Sequence, residues 1–471
     1  MANRLVLLVL LPIFTSYLAP GDYGVVAMLI TIGGFLSPVF SLGLGSSIGI
    51  VYFNSREASE RQAIIWSAGA VLLSSSVLLV VVGWMLRQSL SRIVLGDEGY
   101  GLHTALAIAT TAVGVLAMPW QLKLQFEERA TAFVITSFFG LLAMLGATLW
   151  FLVEMKLGAL GALSGNLVGQ LVGTLLLFIV ASSNPSTKDI GRWIRALLRH
   201  GVPMIPGFFF LFLMQQWVRW PLEWYHGLDA VGIYSVGSSL GSAISILTGA
   251  FISAWTPFAL SHADRQNEAA HLLGRVTLYF VAGFGFVTGL FFLFAEPLVR
   301  IFTQPAFYGA SQVVGLSAAA QFFSALFLML LPPLYFAQRA DNVVATQAVA
   351  TGIMFLLAEF LVPRFGVSGA AFTVLLGFIS LVIVQWTTLR MLPVLRIHYD
   401  YQKIGLLFAL LLGVGVLSFE ISFSDPLFGL ALAGTVTVAM ALIIIFGVCT
   451  KGDFVRQWKD LSPMKFGTRS W

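Results

Sequence analysis

The 471-residue chain is 58% hydrophobic and only 10% charged, with a mean hydropathy of +0.91, against the roughly 25% charged residues of an ordinary soluble domain. That composition excludes a water-soluble globule and predicts an all-α polytopic membrane protein. One cysteine, Cys449, and six scattered histidines, His103, His200, His226, His262, His271 and His398, leave no internal disulfide and no metal-ligand spacing.

Taken in chain order, fourteen apolar runs are long enough to be read as spans. The first six cover residues 5–18, 24–53, 63–86, 103–120, 131–153 and 157–182, and the next six cover 202–220, 230–260, 276–294, 311–336, 343–362 and 368–389. Two more, 404–421 and 428–449, follow. The first run follows Arg4 as a secretory signal would, but Tyr17-Leu-Ala-Pro20 lacks a small-x-small cleavage pattern, so it is read as a retained helix.

The first twelve spans are two copies of one unit. Gly24, Gly33, Gly101, Gly158, Gly161 and Gly169 recur 208 positions later as Gly232, Gly241, Gly309, Gly366, Gly369 and Gly377. Flanking residues agree, as in Tyr100-Gly101 with Tyr308-Gly309. Six spans per copy is an even number, so both copies enter the bilayer from the same side. The prediction is two parallel six-helix lobes around a central cavity plus a C-terminal helix pair, an arrangement that serves alternating-access transport.

Lys and Arg fix the orientation. With a cytoplasmic N-terminus, twenty of the 26 fall in cytoplasmic loops, five (Arg87, Arg92, Lys156, Arg300 and Arg364) fall outside, and Arg219 lies near a helix end. The net charge of +5 is thus accounted for by membrane topology, and no nucleic-acid partner is expected. Both termini are placed in the cytoplasm. The resulting units are 1–182, a first lobe; 183–200, an amphipathic linker; 201–390, a second lobe; 404–449, the extra pair; and 450–471, a basic tail. In the linker, Ile190, Trp193, Ile194, Leu197 and Leu198 interleave with Lys188, Arg192, Arg195 and Arg199, which suits a helix on the anionic inner leaflet or a plain connector.

Tyr17-Leu-Ala-Pro-Gly-Asp-Tyr-Gly24, Gly201-Val-Pro-Met-Ile-Pro206 and Val231-Gly-Ile-Tyr-Ser235 resemble the helix starts of Wzx-type polysaccharide flippases, in the multidrug/oligosaccharidyl-lipid/polysaccharide exporter superfamily. The resemblance runs from Arg4 to about Leu389. It implies a transporter that flips an undecaprenyl-diphosphate-linked oligosaccharide to the outer leaflet for O-antigen, exopolysaccharide or capsule synthesis. It also implies a bacterial cytoplasmic membrane, membrane lipids as surroundings, and a polysaccharide polymerase with chain-length machinery as partners. Drug/cation antiporters and lipid II flippases of the same superfamily are the alternatives, although the acidic or charged first-helix residues expected of them are missing here.

A sugar-diphosphate headgroup needs a polar, preferably cationic path. Arg219, an ionisable residue within a span, is the leading candidate, with Gln215 four residues earlier on the same helix face, and Gln216 and Trp217 beside it. An ion pair with Glu223 and snorkelling to the interface is the other reading of Arg219. Trp217, Trp220, Trp224 and Tyr225 suit sugar stacking or an interfacial belt. Asn166, Gln170, Gln321 and Gln385 are cavity liners or interhelical hydrogen-bond partners. Glu359 would couple transport to an ion if it faced the cavity, and would otherwise reach the headgroups; Glu420 is a weaker case. Gly237-Ser-Ser-Leu-Gly-Ser242 reads as a small-residue packing face. No nucleophile–base set, nucleotide loop or metal motif is present, and no long outer loop of the kind a membrane polymerase or ligase requires, so neither catalytic residue nor cofactor is expected.

Overall fold

The computed structural model describes residues 11–55, 57–182, 189–262, 266–337, 339, 341–421 and 426–448. Among them, all regular structure is helical. In the first copy of the repeat lie α1 (Pro20–Phe40), α2 (Leu44–Asn54), α3 (Ala58–Met85), α4 (Arg87–Leu95), α5 (Gly101–Phe126), α6 (Ala130–Leu149) and α7 (Ala159–Ala181). After α8 (Ile190–Gly201) come α9 (Ile205–Gln216), α10 (Arg219–Gly241), α11 (Ile244–Leu260), α12 (Gln266–Leu293), α13 (Ala295–Phe302), α14 (Ser311–Met329), α15 (Pro332–Phe336) and α16 (Asp341–Met391). The chain closes with α17 (Tyr401–Glu420) and α18 (Pro426–Val448), which pack on α12.

Ten of the described helical stretches are long and apolar enough to cross a membrane, or eleven if Ile190–Gly201 and Ile205–Gly241, bent by 43°, form one span. The difference from fourteen has three sources. Of the run 5–18, residues 5–10 fall outside the described residues and 11–17 are helical. Ile244–Leu260 is short. Finally, α16 counts once although it turns back on itself at Gly366, whose φ of 53° and ψ of −125° break the helix. Thr346 Oγ1 donates to Gln385 Oε1 at 3.0 Å across 39 residues, a separation of about 58 Å in a straight helix. Hence α16 is a hairpin of two arms.

Gly227 (φ 77°, ψ 179°) reverses α10 in the same way. The span expected over 202–220 therefore continues past Trp220 to this turn, residues 221–226 being helical rather than part of a loop. It is also interrupted at Trp217 and Val218, between α9 and α10.

The repeat is visible in backbone geometry. Gly158 (φ 55°, ψ −134°) and Gly366 adopt nearly the same conformation, one that L side chains rarely adopt, at matched positions. A Cβ on Gly24 would lie 2.1 Å from the Leu228 oxygen, and one on Gly232 would lie 1.9 Å from the Pro20 oxygen. Each partner is the other's equivalent, 208 residues away, so the contact between α1 and α10 is reciprocal. Gly21 likewise faces Asp229, its own equivalent. The largest apolar cluster spans this seam, joining Met28, Leu29 and Ile32 to Val231, Tyr234 and Phe378.

The linker helix α8 docks on the first copy: Trp193 and Leu197 are buried in a cluster with Leu44, Ile48 and Ile64. Arg192, Arg195 and Arg199 stay exposed, while Lys188 lies outside the described residues, as do 449–471, the region of the expected basic tail.

Candidate functional site

Arg219 begins the helical segment that ends at the Gly227 turn, and the arm after that turn runs back alongside it. Its Nε donates to Ser235 Oγ at 3.1 Å, and its Nη1 donates to Thr31 Oγ1 at 3.2 Å on α1 of the other copy. The guanidinium carbon also sits 5.8 Å from the Tyr234 ring centroid. Among the described residues no carboxylate lies within ion-pair distance of Arg219. Glu223 instead lies beside α4, with Oε1 3.6 Å from where a Cβ on Gly96 would stand, so the Arg219–Glu223 pair is not formed.

Arg219 forms part of the wall of a cavity of about 230 Å³. The other lining residues are Gln215, Gln216, Tyr234, Ser238, Ser239, Ser242, Ala243, Ser317, Ala320, Gln321 and Val374. No carboxylate is among them. At 1.5 Å per residue, Arg219 stands about 12 Å and Ser242 about 22 Å along their helix arms from the Gly227 turn. All twelve lining residues belong to the second copy of the repeat, so the cavity is not shared between the copies as expected. The first copy reaches its rim through Thr31, which accepts from Arg219 while its own hydroxyl bonds to the Ala27 carbonyl, and through Tyr23, which hydrogen-bonds Ser239.

Four sequence candidates thus converge: Arg219, Gln215, Gln216 and Gln321. The others stand elsewhere. Trp217 packs against Trp220 and Phe355, with ring centroids 5.3 and 4.6 Å away. Gln170 sits against Gly114 on α5, and Asn166 is half-buried on α7. Glu359 is exposed and accepts from the Tyr225 hydroxyl at 3.4 Å, away from the cavity. Trp224 and Tyr225 are exposed near the Gly227 turn, and the side chain of Glu420 lies outside the described residues.

Reading the sequence for candidates missed the serine face. Ser235, Ser238, Ser239 and Ser242 follow an i, i+3, i+4, i+7 spacing that puts them on one side of α10. Three line the cavity and the fourth holds Arg219. Ser238 and Ser239 donate to the Ser235 carbonyl, and Ser242 donates to that of Ser239.

The sequence profile of a family described as polysaccharide biosynthesis protein matches residues 1–262. The chain belongs to that family. No curated protein matches the chain. Among solved structures, the lipid II flippase MurJ in an inward closed conformation superposes with a TM-score of 0.70 at 12% identity, covering 95% of this chain and 98% of that one. An inward-facing multidrug resistance MATE family transporter of the MOP superfamily gives 0.67 at 14%, covering 86% and 96%. A MOP superfamily transporter from Pyrococcus furiosus gives 0.55 at 15%, covering 83% and 92%. At these identities the likeness is one of fold. This member of the polysaccharide biosynthesis family therefore has a multi-pass, all-helical membrane fold like that of the MOP superfamily transporters.

Proposed function

We propose that this transporter moves an undecaprenyl-diphosphate-linked oligosaccharide from the cytoplasmic to the outer leaflet of a bacterial cytoplasmic membrane, for assembly of a surface polysaccharide. The observation that carries this reading is a cavity between helices that holds an arginine and no carboxylate, in a chain of the polysaccharide biosynthesis family. An anionic headgroup gains charge-assisted hydrogen bonds from the guanidinium, while a cationic drug would meet a like charge with nothing to offset it. Two of the five guanidinium N–H groups bond to Ser235 and Thr31, leaving three for a phosphate oxygen. Gln215, Gln216 and Gln321 supply further amide donors.

The architecture proposed for this work is fourteen spans in two like-oriented six-helix lobes with an added C-terminal pair. Support comes from the α1–α10 seam, where Gly21 and Gly24 each meet their own equivalents. Two such meetings, three residues apart, put the local two-fold axis along the helices, as parallel repeats require. The Lys and Arg distribution places both termini in the cytoplasm and the Gly227 turn outside. The cavity, at about 230 Å³, is smaller than the roughly 300–1,000 Å³ of ordinary ligand sites. It holds a diphosphate or one sugar, so the whole headgroup passes only when the lobes rearrange. The polymerase and chain-length machinery that take up the flipped unit are proposed as partners.

The test is deletion of the gene followed by leaflet-specific assay of the lipid-linked repeat unit. Accumulation on the cytoplasmic leaflet supports the reading, and normal surface polymer with no accumulation refutes it.

A further inference from the structure

Gln347 and Gln385, in the two arms of α16, are 4% and 0% exposed. Both carry amide atoms without a partner among the described residues: Oε1 of Gln347 and Nε2 of Gln385. Reassigning the Gln385 amide does not resolve this. Thr346 Oγ1 lies within bonding distance of both Gln385 Oε1 and the Val343 carbonyl, but a hydroxyl has one proton, so one end of the amide is stranded either way. Two buried amides at one level of a packed hairpin are costly unless they gain partners, from water or in another state of the protein.

What covers Gln347 is a separable piece of helix. A Cβ on Gly207 of α9 would come within 3.8 Å of Gln347 Oε1, and the opposite face of α9 presents Phe212 to Gly34 and Phe35 of α1. This segment is broken at both ends, at Val202–Met204 before it and at Trp217 and Val218 after it. Pro203 and Pro206 remove two backbone donors from its start. Counting from the Gly227 and Gly366 turns, Gly207, Gln347 and Gln385 share one level, about 28–30 Å down, whereas the cavity floor at Gln215 and Ser242 is about 18–22 Å down. The glutamines therefore sit between the cavity and the cytoplasmic face.

We propose that Gln347, with Gln385 at the same level of the hairpin, forms a second, cryptic station for the sugar portion of the headgroup, and that α9, which packs on Gln347 in this state, uncovers it by swinging about its two breaks. A neutral amide offers both a donor and an acceptor, as a sugar hydroxyl does, whereas the diphosphate is served by Arg219. The inference rests on the function proposed above.

The test combines export with accessibility. Replacing buried unsatisfied amides by apolar groups of similar size leaves a purely structural site as stable or more so. The double variant Gln347→Leu/Gln385→Leu is expected to keep or raise its thermal midpoint in detergent and yet to lower surface polysaccharide at least about tenfold, as losing hydrogen bonds to the substrate would. Export at the unmodified level overturns the station. Independently, Gln347→Cys in a Cys449→Ala background should react with a membrane-impermeant maleimide applied to inside-out vesicles. Met354→Cys, in the apolar core of the same arm, should not. A position 347 as inert as 354 also overturns the station. If the double variant exports normally while Arg219→Ala does not, only the station falls. If deletion of the protein leaves export intact, the flippase reading itself falls.

Discussion

Replacing Gly232 by alanine tests the seam between the copies most directly. The new methyl would stand 1.9 Å from the Pro20 carbonyl oxygen, where a C–H···O contact relaxes to about 3.3 Å. The obstacle is backbone, so α1 and α10 must part by about 1.4 Å, and a gap of even 0.5–1 Å forfeits about a quarter to a half of the dispersion energy across it. Met28, Leu29, Val231 and Tyr234, all buried beside the contact, would lose packing. Overpacking of this kind costs about 1–3 kcal/mol. If the seam closes in one transport state and opens in the other, 2 kcal/mol moves that equilibrium by about thirtyfold. Gly24→Ala, whose methyl meets the Leu228 oxygen at 2.1 Å, should do the same to within a factor of about two, because the two contacts are equivalent. The assay is cross-linking between cysteines at positions 21 and 229 with a short bifunctional reagent, in a Cys449→Ala background. Yield should fall in both variants together. Unchanged yield, or a loss in only one of them, would refute the reciprocal seam and with it the like orientation of the copies.

Arg219→Ala should lower surface polymer by roughly 10–150-fold at normal expression, the range expected for a hydrogen bond to a charged group, and Arg219→Lys should recover only part of this, since a point charge cannot reach Ser235 and Thr31 together; full export by the alanine variant would remove Arg219 from the site. Thr31→Val keeps the volume but deletes the acceptor for Nη1, so export should drop by a smaller factor, about 2–10-fold, and Thr31→Ser should restore it. Gly366→Ala and Gly158→Ala should each cost about 1–2 kcal/mol through their positive φ, seen as matched falls in the detergent thermal midpoint; a neutral result would mean the turns relax. Glu359→Gln should leave export unchanged, because the carboxylate is exposed and bonded to Tyr225; a loss of export would return it to the transport path.

Glycine carried most of the fold information that could be read in the sequence. Where two backbones touch or φ turns positive, few other residues fit, so Gly24, Gly158, Gly232 and Gly366 mark the same physical events in both copies. Arg219 was legible for a similar reason: a charge inside an apolar run is too costly to be incidental. Its partners were not. Thr31 looks like any helix threonine bonding back to the carbonyl four residues earlier, and a serine stripe looks the same whether it packs against a neighbour or lines a void. The first arm of α10 runs further than its apolar run suggested, since residues 221–226, read as a loop, stay helical up to the Gly227 turn.

The serines on α10 have a chemical consequence of their own. With their protons committed to carbonyls of the same helix, Ser238, Ser239 and Ser242 turn only lone pairs toward the void. A phosphate oxygen finds no welcome on that wall, whereas a polyol can offer it its own hydrogens. The chamber is thus sorted by polarity, electron-poor at the guanidinium and electron-rich along the hydroxyl row, an asymmetry that would orient the glycosyl phosphate proposed as cargo.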